Sequence, residues 1–237
     1  MSEHPARPAP PRKRRWALPF VPVALAGVVV VVVSACASAP DAAVTGSGSL
    51  RTESREVPAF SVIELTGDGD VVIEQNGTES LSIEAEDNLL PDLTSGVSGG
   101  TLRLGTRDGV SLSPTRPITY RISVDDLAGI RLTGSGSVTA AGITTPALST
   151  DISGSGDITI DGSATSQTVT LSGSGDYRAG HLVTQSSTAA IAGSGTIAVQ
   201  VLDVLEVGIS GSGDVSYTGD PRVSQDISGS GELRRGE

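Results

Sequence analysis

Cys36 is the one thiol in the chain, and it stands where a thiol has a use. Val33, Ser34 and Ala35 precede it, closing an apolar run from Trp16 to Val33 that itself follows Arg12-Lys13-Arg14-Arg15. Basic, apolar, then small is the order of a secretory signal. Small side chains fit a peptidase on the N-terminal side of the scissile bond, and a cysteine at the new N-terminus offers its sulfur to a diacylglyceryl group. Residues 33–36 therefore resemble a bacterial lipobox. On this reading 1–35 is a lipoprotein signal peptide, Cys36 is lipidated, and the protein is extracytoplasmic and held on the cell membrane. The alternative is an uncleaved anchor. The run is nearly long enough to cross a bilayer, but Pro19 and Pro22 weaken it as a helix. Arg14-Arg15 is a faint match to a twin-arginine export signal. A single cysteine excludes internal disulfides.

A second set of polar residues recurs at fixed spacing. Ser135, Ser155, Ser174, Ser194, Ser212 and Ser230 each sit between two glycines, flanked by Thr133, Ser153, Ser172, Ser210 and Ser228. Stacked, they form a ladder of hydroxyls that could face a polysaccharide or ice, although ice-binding arrays favour threonine. The plainer reading is that serines cap a tight corner with hydrogen bonds. Asp157, Asp176 and Asp214 follow their triplets, interrupted by Ser137, Thr196 and Glu232. Calcium-binding solenoids use a shorter nonapeptide with aspartate set off from the glycine. The column here is broken and misplaced, so no metal is expected.

Catalytic groups are sparse. His4 falls in the signal and His181 stands alone, without a partner for acid–base work. There is no H-E-x-x-H and no Gly-x-Ser-x-Gly elbow, and the glycine triplets open no helix that could cradle phosphate. Asp125-Asp126 is read as part of a strand, where neighbours point to opposite faces and cannot share a substrate. Neither catalytic residue nor cofactor is called for.

The elements that carry these residues follow from the repeat. Gly-Ser-Gly begins at 134, 154, 173, 193, 211 and 229, a period of 18–20 residues. Two residues before each triplet stand Leu132, Ile152, Leu171, Ile191, Ile209 and Ile227; two after stand Val138, Ile158, Tyr177, Ile197, Val215 and Leu233. Between the columns polar and non-polar positions alternate, which is extended backbone with one face inward. A fixed period of this length means stacked units. Units of about 19 residues keep every column in register only if they pair in parallel, each coil roughly 4.8 Å above the last. The expected fold is all-β, a single-domain parallel β-solenoid.

Ile63-Glu64-Leu65-Thr66-Gly67-Asp68-Gly69-Asp70-Val71 matches Ile130 to Val138 position by position, so the repeat starts near Val57. Sixty-seven residues separate these copies, which implies degenerate or inserted coils between them. The predicted organisation is signal over 1–35, lipidated cysteine and flexible tether over 36–55, and solenoid over 56–237, irregular to about 128 and regular afterwards. Arg234-Arg235-Gly236-Glu237 would charge the last coil and discourage end-to-end stacking. The formal net charge is −11, from 16 basic and 27 acidic residues. Residues 1–35 hold five of the basic and one of the acidic, leaving 11 against 26, or −15, for the rest. So acidic a body is a poor ligand for nucleic acid and is repelled by anionic lipid heads; its membrane attachment rests on Cys36.

The opening from Pro58 to Gln75 (PAFSVIELTGDGDVVIEQ), the stretch Ile83 to Leu90 (IEAEDNLL) and the glycine coils resemble the bacterial head GIN domain family of auto-transporter adhesin heads. The resemblance runs from about residue 57 to the end. It implies a right-handed β-helix on the cell envelope and supplies no catalytic residue. The function expected is a non-catalytic binding, adhesin-like or structural module, with a cell-wall glycan or a surface protein as partner. The alternative is a carbohydrate-active enzyme, a polysaccharide lyase or hydrolase, on the same scaffold.

Overall fold

The computed structural model describes residues 43–236. Among them are seventeen strands and one short 3₁₀ turn, Leu90–Asp92. The strands are β1 (Val44–Thr45), β2 (Leu50–Arg55), β3 (Val62–Gly67), β4 (Asp70–Gln75), β5 (Ser80–Glu86), β6 (Leu93–Ser98), β7 (Thr101–Thr106), β8 (Leu112–Ser113), β9 (Thr119–Val124) and β10 (Gly129–Gly134). Then come β11 (Ser137–Gly154), β12 (Asp157–Gly173), β13 (Asp176–Gly193), β14 (Thr196–Gly211), β15 (Asp214–Thr218), β16 (Arg222–Gly229) and β17 (Leu233–Arg235).

β11 to β14 run 16–18 residues each, about three times an ordinary strand, because each bends around a whole coil without losing its ladder. They pair in parallel, and the columns stack as the repeat requires: Leu132 on Ile152, Ile152 on Leu171, Leu171 on Ile191, Ile191 on Ile209. These side chains are at most 2% exposed and form one continuous core. Stiff, branched aliphatics suit such stacking, each burial contributing roughly 1.5–3 kcal/mol. Coil length varies because slack is taken up on one side only. The register shifts all fall between Ala140 and Ser186, away from the glycine corner, whose glycines remain paired throughout.

The glycine corner is a spine of backbone on backbone. The first glycine of each triplet turns with positive φ, from 128° at Gly134 to 150° at Gly193. The third lacks room for a side chain: a Cβ on Gly156 would lie 2.5 Å from the Gly136 oxygen and 2.7 Å from Leu132 Cδ2. The core also holds a polar pocket. The Tyr177 hydroxyl donates to Gln167 Oε1 at 3.0 Å, and the Thr184 hydroxyl donates to the Gln200 carbonyl at 2.8 Å. Burial pushes the Tyr177 phenol well above its usual range.

The irregular half is a cap, and its coil order is not the order of the chain. β3 and β4 lie directly beneath β10 and β11, so Gly67 stacks under Gly134. β7 and β9, later in sequence, lie beneath β3 and β4. The 67-residue gap is thus an excursion that builds the coil below and closes it with antiparallel strands: β6 on β7, β5 on β9, β2 on β5. Part of the segment expected as a tether over 36–55 is folded. Its residues 44–55 include β1, paired with β8, and β2. β2 shows no apolar pattern because it is an edge strand with mostly exposed side chains, held by its ladder and by Arg55, which donates to the Leu90 and Leu93 carbonyls.

Glu86 locks this cap. Its carboxylate accepts from the Gly48 amide (2.6 Å), the Thr115 amide (2.8 Å) and the Thr115 hydroxyl (2.6 Å). It has no exposed surface and lies between the segments that carry Gly48 and Thr115. The Thr115 hydroxyl first, and then the backbone amides, outweigh desolvation and hold the acid below its ordinary range.

Candidate functional site

The serine column exists as a physical ladder on one edge. Its members stand on successive paired glycine corners, and all six are exposed. Their backbones, not their hydroxyls, tie the corner together. The amides of Ser155, Ser174, Ser194, Ser212 and Ser230 donate to the glycine carbonyl of the coil below at 2.8–3.0 Å. Among the described residues no serine hydroxyl of this column has a side-chain hydrogen bond, so the expectation of hydroxyl capping gives way to six free hydroxyls. Parallel pairing explains this, since continuing the ladder round the corner satisfies the backbone without help.

The lateral face running into this corner extends the hydroxyl surface. Thr133, Ser153, Ser172, Ala192, Ser210 and Ser228 stack in one exposed outward column. Ser149, Thr168, Thr188, Glu206 and Ser224 form another. Between them the column Thr170, Ala190, Gly208 and Asp226 loses its side chains midway, leaving a shallow, open recess floored by Ala190 and Gly208. Gly208 is not required by the backbone: its φ is ordinary and a Cβ there would meet nothing within 4 Å. This recess was not legible beforehand, because alanine and glycine on an outward face carry no periodic signal.

The aspartates lie on the next face, past the corner, and are engaged. Asp157 Oδ1 accepts the Asp176 amide at 3.0 Å, and Asp176 Oδ1 accepts the Thr196 hydroxyl at 2.6 Å. Asp214 Oδ1 accepts the Glu232 amide at 2.9 Å. Arg178 spans two coils, reaching Asp157 at 3.2 Å and Asp176 at 2.6 Å. The column clamps coil to coil, and no group of three or more ligating side chains is found among the described residues. His181 is exposed where the register shifts, paired in the ladder with Asp161. Asp125 and Asp126 are not in a strand, contrary to expectation: they follow β9 in a bend, and both are exposed. The turn is favoured there because Gln75 Nε2 holds the Asp125 carbonyl at 2.9 Å. Cys36 and the lipobox residues Val33, Ser34 and Ala35 lie outside the described residues.

A parallel β-solenoid with an exposed hydroxyl edge and one antiparallel cap is the class of protein this geometry defines. The chain belongs to the family described as "Putative auto-transporter adhesin, head GIN domain", whose family model matches residues 59–221. Solved structures share the fold. One described as a "putative adhesin" from Bacteroides fragilis is 22% identical with a TM-score of 0.67, covering 81% of this chain and 99% of its own. One described as a "putative lipid binding protein" from Parabacteroides distasonis is 24% identical with a TM-score of 0.53, covering 82% and 99%. No curated protein matches the sequence.

Proposed function

We propose that this protein is a non-catalytic, adhesin-like module of the cell envelope, lipid-anchored at Cys36, that binds a neutral glycan along its hydroxyl edge and the adjoining face. The observation that carries the reading is the ladder of six exposed serine hydroxyls, beside the Thr133-to-Ser228 column and the recess over Gly208. Unspent hydroxyls at repeats of roughly 4.8 Å exchange hydrogen bonds with sugar hydroxyls at little desolvation cost, and a shallow apolar recess accepts a ring face. A neutral polymer suits the site better than an anionic one, because the body is strongly acidic. Membership of an adhesin-head family supports the reading. Hydrolysis of a glycosidic bond by the common route uses two carboxyl groups flanking that bond, whereas Asp157, Asp176 and Asp214 are each tied into the coil stack.

The test is binding of the purified protein to a glycan array and to isolated cell-wall polysaccharide, with Ser172→Arg/Ser210→Arg as the blocking variant. The expected result is retention of at least one neutral glycan, lost in the variant without a change in circular dichroism. Equal binding by parent and variant would remove the face from the proposal. Release of reducing ends or unsaturated sugars would replace it with the enzyme reading.

A further inference from the structure

The two ends of the solenoid are finished differently. At one end antiparallel strands close the stack, and the charges on β2 lie at its edge. At the other, β16 pairs only with β14 among the described residues, and all eight of its residues are exposed. That includes side chains whose column is buried in every coil below. Val223 stacks on buried Leu205 yet is 40% exposed, and Ile227 stacks on buried Ile209 yet is 36% exposed. A strand with free backbone groups along one side and core residues open to water is an edge built to be continued.

The charges on that edge specify by what. Arg234 and Arg235, which the sequence marked as a deterrent to stacking, are satisfied locally by Glu232 and Asp220. Arg222 and Asp226 are different. They lie on the same face of β16, four residues apart with Ser224 midway, and neither has an ion-pair partner among the described residues. A second copy of β16, laid antiparallel about a two-fold axis through Ser224, sets each Arg222 opposite the other copy's Asp226. Directly opposed unlike charges stabilise such a pairing, and like charges oppose it. The strand is thus complementary to itself, as an isologous contact demands. We propose that the β16 edge is a homodimer interface, in which two solenoids join end to end by antiparallel pairing of residues 222–226 in this register, setting Val223 against Gln225 of the other copy.

The experiment is cross-linking of the full chain in its own membrane. Ser224→Cys places two thiols on the axis, opposite residues having Cβ atoms about 4.5–5.5 Å apart, and is expected to give a disulfide-linked dimer on mild oxidation. The parent chain and Ser172→Cys, in the middle of the same face, serve as controls. Adding Asp226→Arg sets arginine against arginine and is expected to cut the dimer at least tenfold. Exchanging the charges, Arg222→Asp with Asp226→Arg, restores the pairs and is expected to return it to the level of Ser224→Cys alone. All of these positions are exposed, so each variant keeps the coil. Cross-linking of Ser224→Cys no stronger than that of Ser172→Cys overturns the proposal. So does indifference to Asp226→Arg, or failure of the exchange to restore dimer. Glycan binding enters none of these readouts.

Discussion

Gly156, in the corner between β11 and β12, and Gly208, inside β14, both lack a positive φ, yet alanine at the two should move stability in opposite directions. At Gly156 the added methyl would sit 2.5 Å from the Gly136 oxygen and 2.7 Å from Leu132 Cδ2. The obstacle is backbone, so it cannot rotate away; the coils must part locally. Overpacking of this kind costs roughly 1–3 kcal/mol. Parting the coils also strains the bonds from the Gly156 amide to Gly134 and from the Asp157 amide to Gly136, now 3.1 and 3.2 Å. Each is worth roughly 0.5–1.5 kcal/mol, so the total loss is about 2–6 kcal/mol. For a domain of this size that lowers Tm by roughly 2–4 °C per kcal/mol. At Gly208 nothing lies within 4 Å of the same methyl, and removing a glycine from a strand interior gains roughly 0.5–1 kcal/mol. Thermal and urea unfolding followed by circular dichroism measure both. If Gly156→Ala melts with the parent, or Gly208→Ala falls as far as Gly156→Ala, the glycine spine is not the close-packed contact described.

Cys36→Ala is expected to move the protein from the membrane fraction to the soluble fraction with its fold intact; retention in the membrane refutes lipidation. Tyr177→Phe leaves the Gln167 carbonyl oxygen buried without its donor, which costs roughly 1–3 kcal/mol, read by urea titration. Burial raises the Tyr120 phenol to about 12, so the stability it contributes is complete below about 10 and is lost as pH climbs from there through 12; absorbance of the phenolate and ellipticity should therefore change together at high pH. Glu86 has the opposite sign. Its folded-state acid is depressed, so its contribution is present above about 4.5 and is lost as pH falls through the lower folded value. Hydrogen exchange of residues 44–55 should accelerate over that window in the parent, and Glu86→Gln should remove the pH dependence; acceleration of equal slope in both would place the acid-sensitive group elsewhere.

Much of the site was legible because a solenoid writes its geometry along the chain. Leu132, Ile152 and Leu171 recur at the period of the coil, and stacked identical positions must be parallel neighbours. Ser135 to Ser230 therefore had to form a line. What those serines do was not legible: the ladder satisfied the corner and left the hydroxyls free. The aspartate clamp was half visible, since Asp157 and Asp176 could be placed in a column but Arg178 bridging them could not. The irregularity of the first half was legible, but not that it forms a cap closed by antiparallel strands. β2 is polar and edge-bound, Glu86 reads as any surface glutamate, and nothing local reveals that β9 slides beneath β4.

The sequence alone thus determined the repeating unit: its period, its inward aliphatic columns and its glycine corner, because those depend on side-chain volume and on backbone angles that each coil sets for itself. Only the tertiary structure decided which coil follows which, how one end is closed by antiparallel strands and sealed by Glu86, and that β16 is left with its core side chains and its charges unmatched. Backbone hydrogen bonds are the same for every residue, so they record no partner in the chain; the choice is made by the packing of segments far apart in sequence.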